Sequence, residues 1–128
     1  MKISDFASVY ETHSDPEIEL VLSKRYGDGV NELWLSNGTD KFPAISILVK
    51  GNLASLNYFP KPRDPGYRSA GPGLGLKPGG FTTFYINTPT EEQDVLNDSI
   101  VLFSDALAAA KQFAISTALP TAIDWVEL

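Results

Sequence analysis

The chain of 128 residues has no cysteine, a single histidine and no long apolar run. The first absence removes disulfides, thiol nucleophiles and thiolate metal sites together, and it fits a reducing compartment. The second leaves His13 alone in a polar stretch, where it reads as a surface residue. One imidazole cannot make a multi-histidine metal site, and a surface histidine is not placed to serve as the base of a Ser-His-Asp arrangement. No segment approaches the roughly 18 consecutive apolar residues that mark a membrane span. The first residues also lack the apolar core of a signal peptide, so the cytoplasm is the expected compartment and no membrane partner is expected. Phosphate-loop chemistry is missing as well. The stretch GPGLGLKPGG, Gly71 to Gly80, lacks the Gly-Lys-Ser/Thr ending, and no helix pattern follows it. The dinucleotide-binding G-x-G-x-x-G spacing is absent.

Base is scarce at both ends. The formal net charge is -6, with eight acids against three bases in residues 1–40 and seven acids against Lys111 alone in residues 91–128. The middle reverses this, with Asp64 the one acid among six bases in residues 41–90. Such an acidic balance argues against a nucleic-acid partner. It would favour the approach of a basic partner, although solubility is the plainer reading of charge alone.

What is present is enough apolar material, 43% of residues, for one globular domain over residues 1–128. The strongest local pattern is PAISILVKGNLASLNYFP, which reads as a β-hairpin over Ala44 to Phe59. Gly51-Asn52 suits a two-residue type II′ turn. That turn places Lys50 opposite Leu53, Val49 opposite Ala54, Ile47 opposite Leu56 and Ile45 opposite Tyr58. A slip of one residue would turn the apolar face to water. Since one hairpin is marginal in water, its Ile45/Ile47/Val49 face needs a cover.

The rest of the chain supplies candidates. Met1 to Thr12 alternates weakly, as one first strand. Ser14-Asp15-Pro16-Glu17 opens a helix over roughly Pro16 to Tyr26, with Lys24 and Arg25 at its end and Gly27 stopping it. ELWLS, Glu32 to Ser36, is a strand with Leu33 and Leu35 on one side and Trp34 on the other. Pro60 to Gly80 is crowded with proline and glycine and reads as a long irregular loop, either throughout or with one short strand within Ser69 to Leu76. Phe81 to Ile86 is a strand, and Thr88 to Ser99 a polar acidic loop. Ser104-Asp105 caps a second helix, Ala106 to Thr117, with Phe103, Leu107, Ala110 and Ala114 along its stripe and Ala106 and Phe113 beside it. Ile123 to Leu128 is a last strand. The expected fold is α+β, an antiparallel sheet of about five or six strands with two helices packed on one face.

Few residues point to chemistry. Glu91 and Glu92 are neighbouring carboxylates, but nothing apolar surrounds them to raise a catalytic pKa. Trp34 and Trp125 read either as ligand-stacking platforms or as strand residues of the core. Tyr67 and Arg68, in the irregular loop, read either as a partner contact or as loop packing.

Three stretches in this order resemble the immunity protein 1 family of bacterial polymorphic-toxin systems. They are LWLS with the hairpin ending Leu56-Asn57-Tyr58-Phe59, then Gly66-Tyr67-Arg68-Ser69, then a helix with Ala106, Ala109, Phe113 and Thr117 followed by Leu119-Pro120 and Ile123-Asp124-Trp125. The resemblance covers roughly residues 32–128. It implies a non-enzymatic protein, without cofactor or metal, that binds a cognate toxin domain and blocks it stoichiometrically. The toxins of such systems are often deaminase-fold proteins. On that reading the partner contacts are Asp64, Tyr67, Arg68, Glu91, Glu92 and Asp94. A different class stays open: a small-molecule or carbohydrate-binding enzyme or carrier, with an aromatic-lined pocket around Tyr58, Tyr85 and Trp125.

Overall fold

The hairpin folds as its alternation dictates. Seven antiparallel pairs run from Lys50 opposite Leu53 to Ala44 opposite Phe59, in the expected register. Gly51 has φ +58 while Asn52 keeps a negative φ, as a type II′ turn requires. Ile45, Ile47, Val49, Ala54, Leu56 and Tyr58 are buried on one face.

The computed structural model describes residues 1–128. Its elements are β1 (Lys2–Ser4), β2 (Val9–Glu11), α1 (Asp15–Leu22), β3 (Val30–Ser36), β4 (Ala44–Lys50), β5 (Leu53–Phe59), β6 (Tyr67–Ala70), β7 (Phe81–Tyr85), β8 (Glu92–Leu96), β9 (Ile100–Leu102), α2 (Phe103–Ser116) and β10 (Asp124–Glu127). The fold is α+β, with more strands than expected. Eight form an antiparallel sheet in the order β10-β6-β5-β4-β3-β1-β2 with β9 added to β5, and β7 and β8 form a separate two-stranded sheet. The N-terminal stretch is a hairpin of two short strands rather than one strand. No helix is long and apolar enough to cross a membrane.

Both helices contribute to one core with the inner face of the sheet. Ile18, Val21 and Leu22 of α1 join Ala106, Ala109, Ala110 and Phe113 of α2 in it, against Leu33, Leu35, Ile45, Ile47 and Val49. Leu107 is only partly buried and packs at its edge. Ala114 is exposed, so the buried stripe of α2 is rotated from the one expected. The small alanines let α2 lie close, and α2 begins earlier than expected, with Ser104 and Asp105 already in its first turn. Helix α1 is shorter than its pattern suggested. Ser14 caps it, accepting from the Glu17 N–H, but it stops at Leu22, before Lys24 and Arg25. Arg25 instead donates to the carbonyls of Leu22 and Lys24, at 2.7 and 3.0 Å, and to Gly51 at 3.2 Å. It ties the helix end to the hairpin turn, and burial pulls its pKa below the ordinary arginine value.

Residues 60–80 are not one irregular loop. Within them β6 pairs with β5 on one side and with β10 on the other. On the same edge of β5, β6 pairs with Asn57 and Tyr58 while β9 pairs with Leu53, Ala54 and Ser55. Leu56 falls between them. Its N–H is accepted by the buried Ser69 Oγ at 3.0 Å, and Ser69 Oγ in turn donates to the Ser99 carbonyl. Gly71 has no room for a side chain here: a Cβ would stand 1.9 Å from the Ile100 carbonyl oxygen. Gly66 has φ +76, and a Cβ there would stand 2.2 Å from the Tyr58 carbonyl oxygen.

Ser69→Ala is expected to lower unfolding stability by about 1–3 kcal/mol, the cost of leaving a buried backbone donor unmet. Gly71→Ala is expected to cost at least as much through overpacking. Ser46→Ala, on the outer face, is the neutral comparison. Urea denaturation of the three variants measures this, and equal midpoints would show that the joint is not structural.

Candidate partner-binding surface

The outer face of the large sheet, away from the helices, is divided in two. One half lies under the β7–β8 hairpin. Lys50 Nζ donates to the Thr83 carbonyl at 3.1 Å, and the Asn87 N–H donates to Glu32 Oε1 at 3.0 Å. Phe84 of β7 and Val30 of β3 are both fully buried, outside the main core. Apolar contact and two polar ties therefore hold the hairpin down.

Alternation decides what the hairpin shows to solvent. Thr83 stands opposite Asp94, Tyr85 opposite Glu92, and Phe81 opposite Leu96. These six share the face opposite to Phe84. Phe81 is 64% exposed, and Glu91, Glu92 and Asp94 are exposed too. Hydrogen bonds fix two of the acids: Thr83 Oγ1 donates to Asp94 at 3.0 Å, and Asn87 Nδ2 to Glu91 at 2.6 Å. None is in an ion pair, since the chain's one salt bridge joins Lys111 and Glu19. The result is an acidic ridge with an aromatic edge. These acids were expected on a loop; they lie on or beside a strand because β8 pairs along its whole length with β7.

The other expected contacts lie elsewhere, and the structure corrects their setting. Tyr67 and Arg68 are half-buried strand residues of β6, not an exposed loop. Tyr67 packs at the core edge, its ring 6.1 Å from that of Tyr58. Asp64 turns the chain into β6, accepting from the Gly66 N–H at 2.7 Å. Arg68 points to the outer face with Asn57, its cross-strand neighbour. The structure therefore gathers Glu91, Glu92 and Asp94 but separates them from Asp64, Tyr67 and Arg68.

The aromatic trio of the alternative reading does not line a common pocket. Tyr58 and Trp125 pack edge to face at 6.3 Å, and their polar ends are used within the fold. The Tyr58 hydroxyl donates to the Thr117 carbonyl at 2.9 Å, and Trp125 Nε1 to that of Pro120 at 2.7 Å. Burial, with the neighbouring Tyr67 phenol, pushes the Tyr58 pKa up. Tyr85 belongs to the separate hairpin. No group of three or more His, Asp or Glu residues is arranged to hold a metal ion.

Glu92→Gln with Asp94→Asn is expected to shift stability by no more than about 0.5 kcal/mol, whereas Tyr67→Ala costs about 2 kcal/mol. Thermal melts distinguish them. An equally large loss in the double variant would make the acidic ridge structural.

No protein-family model matches the chain. It is 28% identical, over all 128 residues and the full length of both proteins, to a double-stranded DNA deaminase immunity protein of Burkholderia cenocepacia (strain H111). The likeness that its hairpin, GYRS stretch and tryptophan-bearing tail suggest thus extends from end to end: the chain resembles an immunity protein of a deaminase-toxin system.

Proposed function

We propose that this protein is a cytoplasmic immunity protein that binds a deaminase-type toxin domain and neutralises it by occupying its substrate groove, one molecule to one, without turnover of its own. The observation that carries this reading is the full-length likeness to a deaminase immunity protein. The surface supports it physically. A toxin that acts on DNA needs a cationic groove for the phosphate backbone. The ridge of Glu91, Glu92 and Asp94 offers fixed, unpaired negative charge to such a groove, and Phe81 and Tyr85 offer apolar area beside it. Complementary charge of this kind steers encounter and selects the partner more than it adds affinity.

Titrating the purified chain into a deamination assay of its toxin on double-stranded DNA should abolish activity at a 1:1 ratio. Full toxin activity at molar excess would contradict the proposal. Glu92→Lys with Asp94→Lys is expected to slow association about tenfold at low salt and to flatten its salt dependence. An unchanged association rate would remove the ridge from the interface.

A further inference from the structure

The uncovered half of the outer face has a different chemistry. The strand registers place Ser4, Trp34, Ser46, Asn57, Arg68 and Val126 in one row across β1, β3, β4, β5, β6 and β10. Small Ala44 and Ser46 on β4 let Trp34 reach over to Phe59, and the rings stack at 5.9 Å and 17°. Trp34 is nevertheless 42% exposed. Beside it lies a cleft of about 230 Å³ lined by Lys2, Ser4, Trp34, Ser36, Lys41 and Phe42 among others.

Two features set this face apart from the ridge next to it. One of its polar atoms is unsatisfied. The Arg68 Nη1 is shielded from water yet has no hydrogen-bond partner. Such groups are rare in folded proteins because their desolvation is uncompensated. Its charge is also opposite to that of the chain. Lys2, Lys41 and Arg68 are all free of ion pairs on a protein of net charge -6; the nearest acids of the face by register are Glu11, opposite Lys2, and Asp124, two residues along β10 from the residue opposite Arg68.

From this we infer a second contact site for the toxin on the open face, resting on the function proposed above. Its occupant is a carboxylate-bearing segment of the toxin surface. An Asp or Glu there accepts from Lys2 or Lys41 at the cleft and sets its charge against the half-buried Arg68 guanidinium, and its flanking apolar groups rest on the Trp34–Phe59 stack. Tryptophan and arginine are the residue types that most often dominate binding energy. A nucleic acid is disfavoured as occupant because Glu92 and Asp94 project on the same side of the sheet and would repel a phosphate backbone. The protein would then grip its partner with both signs of charge: acids on the ridge against a basic groove, and cations on the open face against acids at the groove's rim.

The test compares toxin binding by the wild-type chain, Trp34→Ser, and Lys41→Glu with Arg68→Gln, by surface plasmon resonance, with thermal melts as the control for folding. Dissociation is expected to be at least tenfold faster in each variant, with the association rate little changed for Trp34→Ser and melting points close to wild type. Tight wild-type binding with unchanged dissociation in both variants would overturn the second site and leave the proposed function standing. No wild-type binding would overturn both. A wild-type chain that is dimeric in solution, and that these substitutions make monomeric, would assign the face to a second copy instead and equally overturn the inference.

Discussion

Strand β5 has seven residues of edge to satisfy on the side away from β4, and no single strand covers them. The chain divides the task between β6 and β9 and closes the gap at Leu56 with one hydroxyl, Ser69 Oγ. Much of the remaining architecture hangs on this joint. β6 brings β10 to the sheet. β9 runs directly into α2, whose alanine face seals the core. The turn Asn97–Ser99 between β8 and β9 anchors the acidic hairpin, with Thr82 Oγ1 donating to Asn97 Oδ1 and Asn97 Nδ2 to the Lys77 carbonyl. The glycine-rich stretch before β7 is fastened at the same place, where the Asn97 N–H meets the Gly80 carbonyl.

The parts of this arrangement that were legible in the sequence are those where one pattern has one physical reading. Alternation in Ile45, Ile47 and Val49 plus a Gly-Asn turn left no freedom of register in the β4–β5 pair. Leu33 and Leu35 likewise went inward and Trp34 outward. Strand β8 was hidden because its sequence, EQDVL, shows acids to solvent and buries little; only its pairing with β7 makes it a strand. β6, legible only as a short strand within Ser69 to Leu76, was obscured for the opposite reason. The glycines flanking it look like loop punctuation, yet Gly66 and Gly71 are there so that two backbones can approach without a Cβ between them. A serine between such glycines, with another serine before an apolar run, was the available signal for the joint, but long-range pairing of this kind has no local signature.

The two faces of the large sheet carry different duties. The inner face is spent on stability, since both helices and a continuous apolar cluster cover it. The outer face carries the exposed groups that the proposed function uses. Half of it presents a hydrogen-bonded acidic ridge, and half an aromatic stack with unpaired cations. In the function proposed here, both meet a protein surface of opposite charge.

A 13.9 kDa chain is small enough for residue-level mapping in solution. The most direct measurement is the amide spectrum of the 15N-labelled protein, free and saturated with the deaminase-type toxin domain that the proposed function names. Shifts in Phe81–Tyr85 and Glu92–Leu96, joined by Trp34 and Arg68 if the open face is a second contact, with the exposed side of α2 around Ala108 and Ile115 undisturbed, are the predicted result. Shifts concentrated on α2, with the hairpin silent, would contradict the assignment of partner binding to the outer face.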